Sequence, residues 1–191
     1  EQSVDPVMVA VALAQALQTI VSRNLPPLET AILSITQIHA GTAYNVIPET
    51  AVLRGTIRTF SAASLALVTE RMQALAAGLA RGFGATAEAT VHPGYAALEN
   101  APAQTAAACR IASEIVGASN VDGAAKPLTG SEDFSDMLQR VPGAYLWLGQ
   151  GHGANLHNPG YRFNDEVIPI GATLYARIAE ERLAALAGGG S

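Results

Sequence analysis

The sequence predicts an α/β protein made of two unlike parts, and three observations carry that prediction. Apolar residues recur every three to four positions in some stretches and every second position in others, the marks of helix and strand. Residues 1–95 read helix, strand, strand, helix, strand, which is a split β-α-β-β-α-β unit short of its first strand. Beyond Pro93-Gly94 and Glu99-Asn100-Ala101-Pro102 the order becomes helix, short helix, apolar strand, loop and helix, as in part of an α/β sheet. The expected division is therefore 1–95, a partial ferredoxin-like (βαββαβ) domain, and 96–187, part of an α/β domain. A flexible, linker-like tail is expected at 188–191.

Asp5-Pro6 places a capping carboxylate before a proline at the first helical position. Val7, Val11, Ala14, Leu17 and Val21 then mark one apolar helix face, until Asn24-Leu25-Pro26-Pro27 stops it. Thr30–Ile38 is rich in β-branched residues and reads as a strand. Ala51–Phe60 is a second strand, with Val52, Arg54, Thr56 and Arg58 on one face and Leu53, Ile57 and Thr59 on the other. The loop between them is long enough to carry function. Ser61 caps a helix over 62–81 that ends at Gly82 and Gly84. Thr86–His92 alternates as a third strand. A helix follows over 103–116, then a short helix from Glu132 to Arg140 capped by Ser131. Ala144–Leu148 is continuously apolar, as in a strand buried on both faces. The last helix covers 169–186.

Composition excludes several classes. The 191 residues are 49% hydrophobic and 14% charged, with a net charge of -5, which suits a packed core and not a disordered chain. The 11 basic residues are scattered, ten arginines and Lys126, so no basic stripe is available for nucleic acid. Apolar runs are interrupted before the roughly 18 residues that cross a bilayer, so no membrane is expected. One cysteine, Cys109, forms no internal disulfide, and there is no CxxC pair for zinc. With no secretory leader pattern at the start, a reducing cytoplasm is the expected compartment. The chain opens on Glu1 without a methionine, and a piece of a longer protein is expected.

Three places carry residues capable of chemistry. His157, in Asn155-Leu156-His157-Asn158-Pro159, lies just beyond a predicted strand, where α/β sheets bind ligands. Its imidazole suits zinc, manganese or nickel, or it simply packs on Tyr161 or Phe163. Gly130-Ser131 precedes a predicted helix, where backbone N–H groups favour an anion; a plain capped helix is the other reading. Arg58, on a strand, can fork onto a carboxylate, with Asn45 on the neighbouring loop and Arg54 an equal candidate by pattern. Asp165-Glu166 reads as a helix-start pair and Glu180-Glu181 as a solvated face.

Several stretches together resemble the M20 metallopeptidase family. They are Val4-Asp5-Pro6, Leu17–Asn24, Gly41–Pro48, Gly55–Phe60, Gly130–Ser135, Val141–Ala144, Leu156–Pro159 and Phe163–Glu166, in the family's order along nearly the whole chain. They are most similar to its amidohydrolase branch of hippurate hydrolases, N-acyl-amino-acid deacylases and auxin-conjugate hydrolases. The resemblance implies a catalytic α/β domain with two divalent ions (zinc, manganese, nickel or cobalt) and an inserted βαββαβ lid that forms a homodimer. It implies hydrolysis of the amide bond of small, hippurate-like N-acyl amino acids. His157 then matches a metal ligand, Asn45 and Arg58 match lid residues gripping the substrate carboxylate, and Gly130 and Ser131 line its pocket. The family's Asp-Gly-Cys-Gly-His segment, its Glu-Glu pair with the general base, and its Gly-Gly-His-Ala-Ala stretch have no match in these residues. No catalytic base is therefore expected here, and the chain is expected to be inactive alone. The alternatives are a non-catalytic dimerisation or binding module, or a carbamoylase or dipeptidase of the same superfamily.

Overall fold

In the computed structural model, which describes residues 3–188, the chain divides into two compact units. One holds the residues up to Ala97 together with Thr129–Ser131, the other Leu98–Leu128 together with those from Glu132 onward.

The first unit begins with α1 (Pro6–Thr19), whose first turn is tied down by Asp5 Oδ1 accepting from the Val7 N–H at 2.8 Å. A π-helical turn, Ile20–Asn24, extends it. That continuous helix, Pro6–Asn24, is 19 residues long and apolar enough to meet the length and composition of a bilayer span, so the apolar run is not interrupted as expected. Its apolar face is occupied differently: Leu13, Leu17 and Ile20 are core residues of this unit.

Strands β1 (Ala31–Ala40) and β2 (Ala51–Thr59) form an antiparallel two-stranded sheet, with Ala31 opposite Thr59 and Ala40 opposite Ala51. A bulge between Ile35 and Gln37 faces Gly55. A Cβ at position 55 would stand 2.1 Å from the Ser34 carbonyl oxygen, so only glycine permits this approach. The two faces of β2 divide as its alternation predicts, with Leu53, Ile57 and Thr59 half-buried and Val52, Arg54, Thr56 and Arg58 exposed. Helix α2 (Ala62–Gly82) starts on Ser61, whose Oγ accepts from the Ser64 N–H at 3.1 Å. Glu29 reinforces that start by accepting from the hydroxyls of both Ser61 and Ser64. Ile20 from the π-helical turn and Val68 from α2 are fully buried against Ala31 and Leu33 of β1.

Residues 86–92 depart from expectation. Thr86, Glu88, Thr90 and His92 are exposed while Ala87, Ala89 and Val91 turn inward, so the predicted alternation is present. Yet the segment is no strand, because a strand exists only through a partner's hydrogen bonds. In a split βαβ unit that partner is the first strand, and no such strand stands among the described residues. Ala87 and Ala89 pack on the core instead, and Gln73 of α2 donates to the Ala89 carbonyl at 3.5 Å.

In the second unit, α3 (Pro102–Val116) and α5 (Ile168–Gly188) are joined by ion pairs. Arg110 meets Glu114 at 2.9 Å and also Glu181, and Arg177 meets Glu114 at 3.2 Å and Glu180 at 3.5 Å. Glu180 and Glu181 are thus held in pairs rather than merely solvated. Asn164 caps a 3-10 turn, Asp165–Val167, by accepting from the Glu166 N–H, and that turn runs into α5. Gly188 ends α5, and the rest of the predicted tail lies outside the described residues.

Residues 144–148 are also not a strand, and Leu146, Trp147 and Leu148 are exposed rather than buried on both faces. Instead of a neighbouring strand, one side chain pairs with this segment. Asn100 Oδ1 accepts from the Tyr145 N–H at 2.8 Å, and its Nδ2 donates to the Tyr145 carbonyl at 2.9 Å. The short helix is α4 (Phe134–Leu138), and its N-cap is Asp133, not Ser131. Glu132 intervenes by accepting from the Phe134 N–H at 3.3 Å.

Candidate functional site

The residues singled out from the sequence fall in both units. The first place lies in the first unit. Strand alternation turns Arg58 outward while Leu53 and Ile57 anchor β2 to the core, and its Nη1 donates to the Thr129 carbonyl at 2.6 Å. That bond sets Gly130 and Ser131 beside the guanidinium. Arginine has five N–H donors in a fixed fork, so one bond to Thr129 orients the group and leaves a donor edge for an anion. A Cβ at Gly130 would meet nothing within 4 Å, so the space beside this turn is open.

Asn45 is elsewhere. It sits exposed on a turn in the loop between β1 and β2, whereas Arg58 pairs with Ile32 at the far end of the sheet.

The second place is the loop around His157 in the second unit. A β-turn closes from the Asn155 carbonyl to the Asn158 N–H at 3.1 Å, and a second from the Asn158 carbonyl to the Tyr161 N–H at 2.9 Å. Pro159 and Gly160 suit the middle of the second turn. In the first, the third position is His157 with φ +68°, the one non-glycine residue at positive φ among those described. Glycine is the usual occupant there, and an L-residue costs about 1–2 kcal/mol. Neither Tyr161 nor Phe163 covers the ring to the point of burial: His157 is exposed. A strained, exposed imidazole that a glycine would replace more comfortably is a mark of use rather than of packing.

His152, between Gly151 and Gly153, is likewise exposed. No group of three or more His, Cys, Asp or Glu side chains able to hold a metal ion occurs among the described residues. A bound divalent ion needs about four donors, so these residues do not build a metal centre by themselves; His157 supplies at most one bond.

Sequence reasoning missed Gln150. Its partly buried carboxamide reaches across the base of the His157 loop to Tyr161, Arg162 and Asn164. A glutamine between two glycines carries no motif signal, and its partners lie 11 to 14 residues on. Near α4, the Tyr145 hydroxyl and then the Phe134 N–H hold the Glu132 carboxyl below its ordinary value, and Glu132 pushes the Tyr145 hydroxyl up. Tyr145 also packs between Phe134, tilted at 5.7 Å, and Trp147, edge-on at 5.8 Å between ring centres. This cluster braces the residues that follow Gly130-Ser131 in sequence without touching a reacting group.

Known proteins resemble this chain in sequence and in structure. The chain is 34% identical over 177 residues to the N-acetylcysteine deacetylase of Bacillus subtilis, covering 93% of this chain and 46% of that protein. It is 37% identical over 167 residues to the N-acetyldiaminopimelate deacetylase of Streptococcus suis, covering 87% and 44%. The structure aligns with the crystal structure of the Bacillus subtilis YXEP protein, described as a dinuclear metal binding peptidase, with a TM-score of 0.74 and 30% identity over 92% of this chain and 46% of that one. It also aligns with an aminohydrolase, so described provisionally, from methicillin-resistant Staphylococcus aureus, at TM-score 0.79 and 25% identity over 92% and 45%. The chain thus spans about half the length of the curated relatives it matches. Mixed helices and strands of the matching fold, and a model of the peptidase family M20/M25/M40 that fits residues 4–181, lead to one conclusion: the chain belongs to that family.

Proposed function

We propose that this chain is part of a metal-dependent amidohydrolase that cleaves the amide bond of N-acyl amino acids. Family membership and relatives named as deacetylases of N-acetylated amino acids support the reaction class, and favour a small acyl group over the benzoyl of hippurate. The observation that carries the reading is Arg58, anchored to Thr129 by one N–H and set beside the open Gly130-Ser131 turn. A fork so held binds the carboxylate that every N-acyl amino acid keeps at its far end. In this reading residues 1–95 are the βαββαβ lid, and its exposed Ile32, Ile38 and Val52 belong to a homodimer contact. The C-terminal part carries His157, one donor to a pair of divalent ions whose remaining donors come from polypeptide outside these 191 residues. Asn45, on the loop between β1 and β2, joins Arg58 in holding the substrate carboxylate.

Kinetics on the full-length protein with N-acetylcysteine and related N-acetyl amino acids test this. Arg58→Ala raises KM about 10- to 100-fold, the worth of one charged hydrogen-bonded contact, with a smaller change in kcat. Unchanged KM removes Arg58 from the site, and absence of any hydrolysis leaves a binding module.

A further inference from the structure

The geometry points to Gln150 as a positioning residue: we propose that its carboxamide closes the loop 151–163 and thereby fixes how His157 is presented. Gln150 Oε1 accepts from the Tyr161 hydroxyl at 3.3 Å and from the Asn164 N–H at 3.2 Å. Its Nε2 donates to the Arg162 carbonyl at 3.3 Å. Its own carbonyl accepts from Asn164 Nδ2 at 3.3 Å. Both ends of one side chain are therefore committed to the far arm of the loop. The near arm has little stiffness of its own, since Gly149, Gly151 and Gly153 flank it and Gly151 stands at φ +90°. The far arm is firm: it is folded by two consecutive turns and continues through Asn164 into the 3-10 turn before α5. Gln150 transfers that firmness to the arm that leads to His157. An imidazole held at φ +68° keeps that conformation only while its surroundings over-determine it, and the closed loop base supplies the constraint.

His157 as a metal donor is the premise taken over from the proposed function, and the two ideas separate by experiment. Hydrogen–deuterium exchange on the 191-residue chain compares wild type, Gln150→Ala and Gln150→Glu. In Gln150→Ala the amides of residues 154–164 exchange about tenfold faster, the effect of at least one lost net hydrogen bond, while α3 and α5 keep their wild-type protection. Gln150→Glu keeps the acceptor for Tyr161 and Asn164 and falls between the two. Unchanged loop exchange, or acceleration spread evenly over α3 and α5, overturns loop closure by Gln150. Titration of the full-length protein with zinc or manganese gives the second readout. Gln150→Ala weakens affinity about tenfold, as loss of a supporting partner does, and Gln150→Glu recovers part of it. If His157→Ala weakens binding and Gln150→Ala does not, the positioning role is wrong and the ligand reading stands. If His157→Ala changes nothing, the ligand reading falls, and the exchange rates of residues 154–164 alone decide whether Gln150 positions the loop.

Discussion

Replacing His157 by glycine should make the protein more stable. The φ of +68° costs an L-residue about 1–2 kcal/mol, and glycine removes that cost. Glycine returns roughly 0.5–1 kcal/mol of it through its greater freedom in the unfolded chain. The imidazole is exposed, so its loss subtracts little packing. The expected net gain for His157→Gly is about 0.5–1 kcal/mol. His157→Ala keeps the backbone cost and is nearly neutral, so the gap between the two variants is about 1 kcal/mol. Urea denaturation followed by far-ultraviolet circular dichroism, with the slope shared among the three proteins, measures that gap. If His157 donates to a metal as proposed, the same glycine variant of the full-length protein should bind less metal, so stability and metal content should move in opposite directions. If both variants lose more than about 2 kcal/mol, the ring is packed and the strain account is wrong; if glycine equals alanine, the backbone is not left-handed there.

Three further outcomes follow from the packing. Gly55→Ala drives a methyl group into the Ser34 carbonyl 2.1 Å away; loss of the hairpin's slow-exchanging amides is expected, and an unperturbed hairpin would show that the bulge relaxes freely. Ile20→Ala empties a fully buried site shared by the helix and the sheet and costs about 3 kcal/mol; a loss below about 1 kcal/mol would mean that the site collapses around the smaller residue. The Glu132 carboxyl is held below its ordinary value of 4.5, so its contribution to stability is present above that pH and is lost as acid takes the pH down through the folded value. Denaturation midpoints between pH 3 and 7 should therefore fall less steeply at the acid end in Glu132→Gln; identical acid limbs would show that Tyr145 and the Phe134 N–H do not favour the ionised form.

Local patterns were the legible part of the sequence. Asp5-Pro6 and Ser61 announced helix starts that the structure keeps, because a cap needs only its own neighbours. The β1–β2 pair was legible because its inward residues, Leu33, Leu53 and Ile57, alternate against a helix face. Residues 86–92 and 144–148 were misread for one shared reason. Alternation or apolarity states which way side chains face, while a strand also requires a partner, and neither segment finds one among the described residues. Ser131 was misread as a cap because Glu132 and Asp133 after it compete for the same turn. The site was legible as residue types but not as geometry. Arg58 and Thr129 are 71 residues apart, and no spacing reveals that bond. The strain at His157 lies in a backbone angle that residue names do not record.

Asn100 offers both faces of its amide to the main chain of Tyr145, doing for a single peptide unit what a neighbouring ribbon would do for five. Such a surrogate is economical in length and blunt in reach. It quiets one rung and says nothing to the rungs on either side, so a visiting extended peptide would find its first foothold at Leu146 to Leu148, past the end of the amide's grasp.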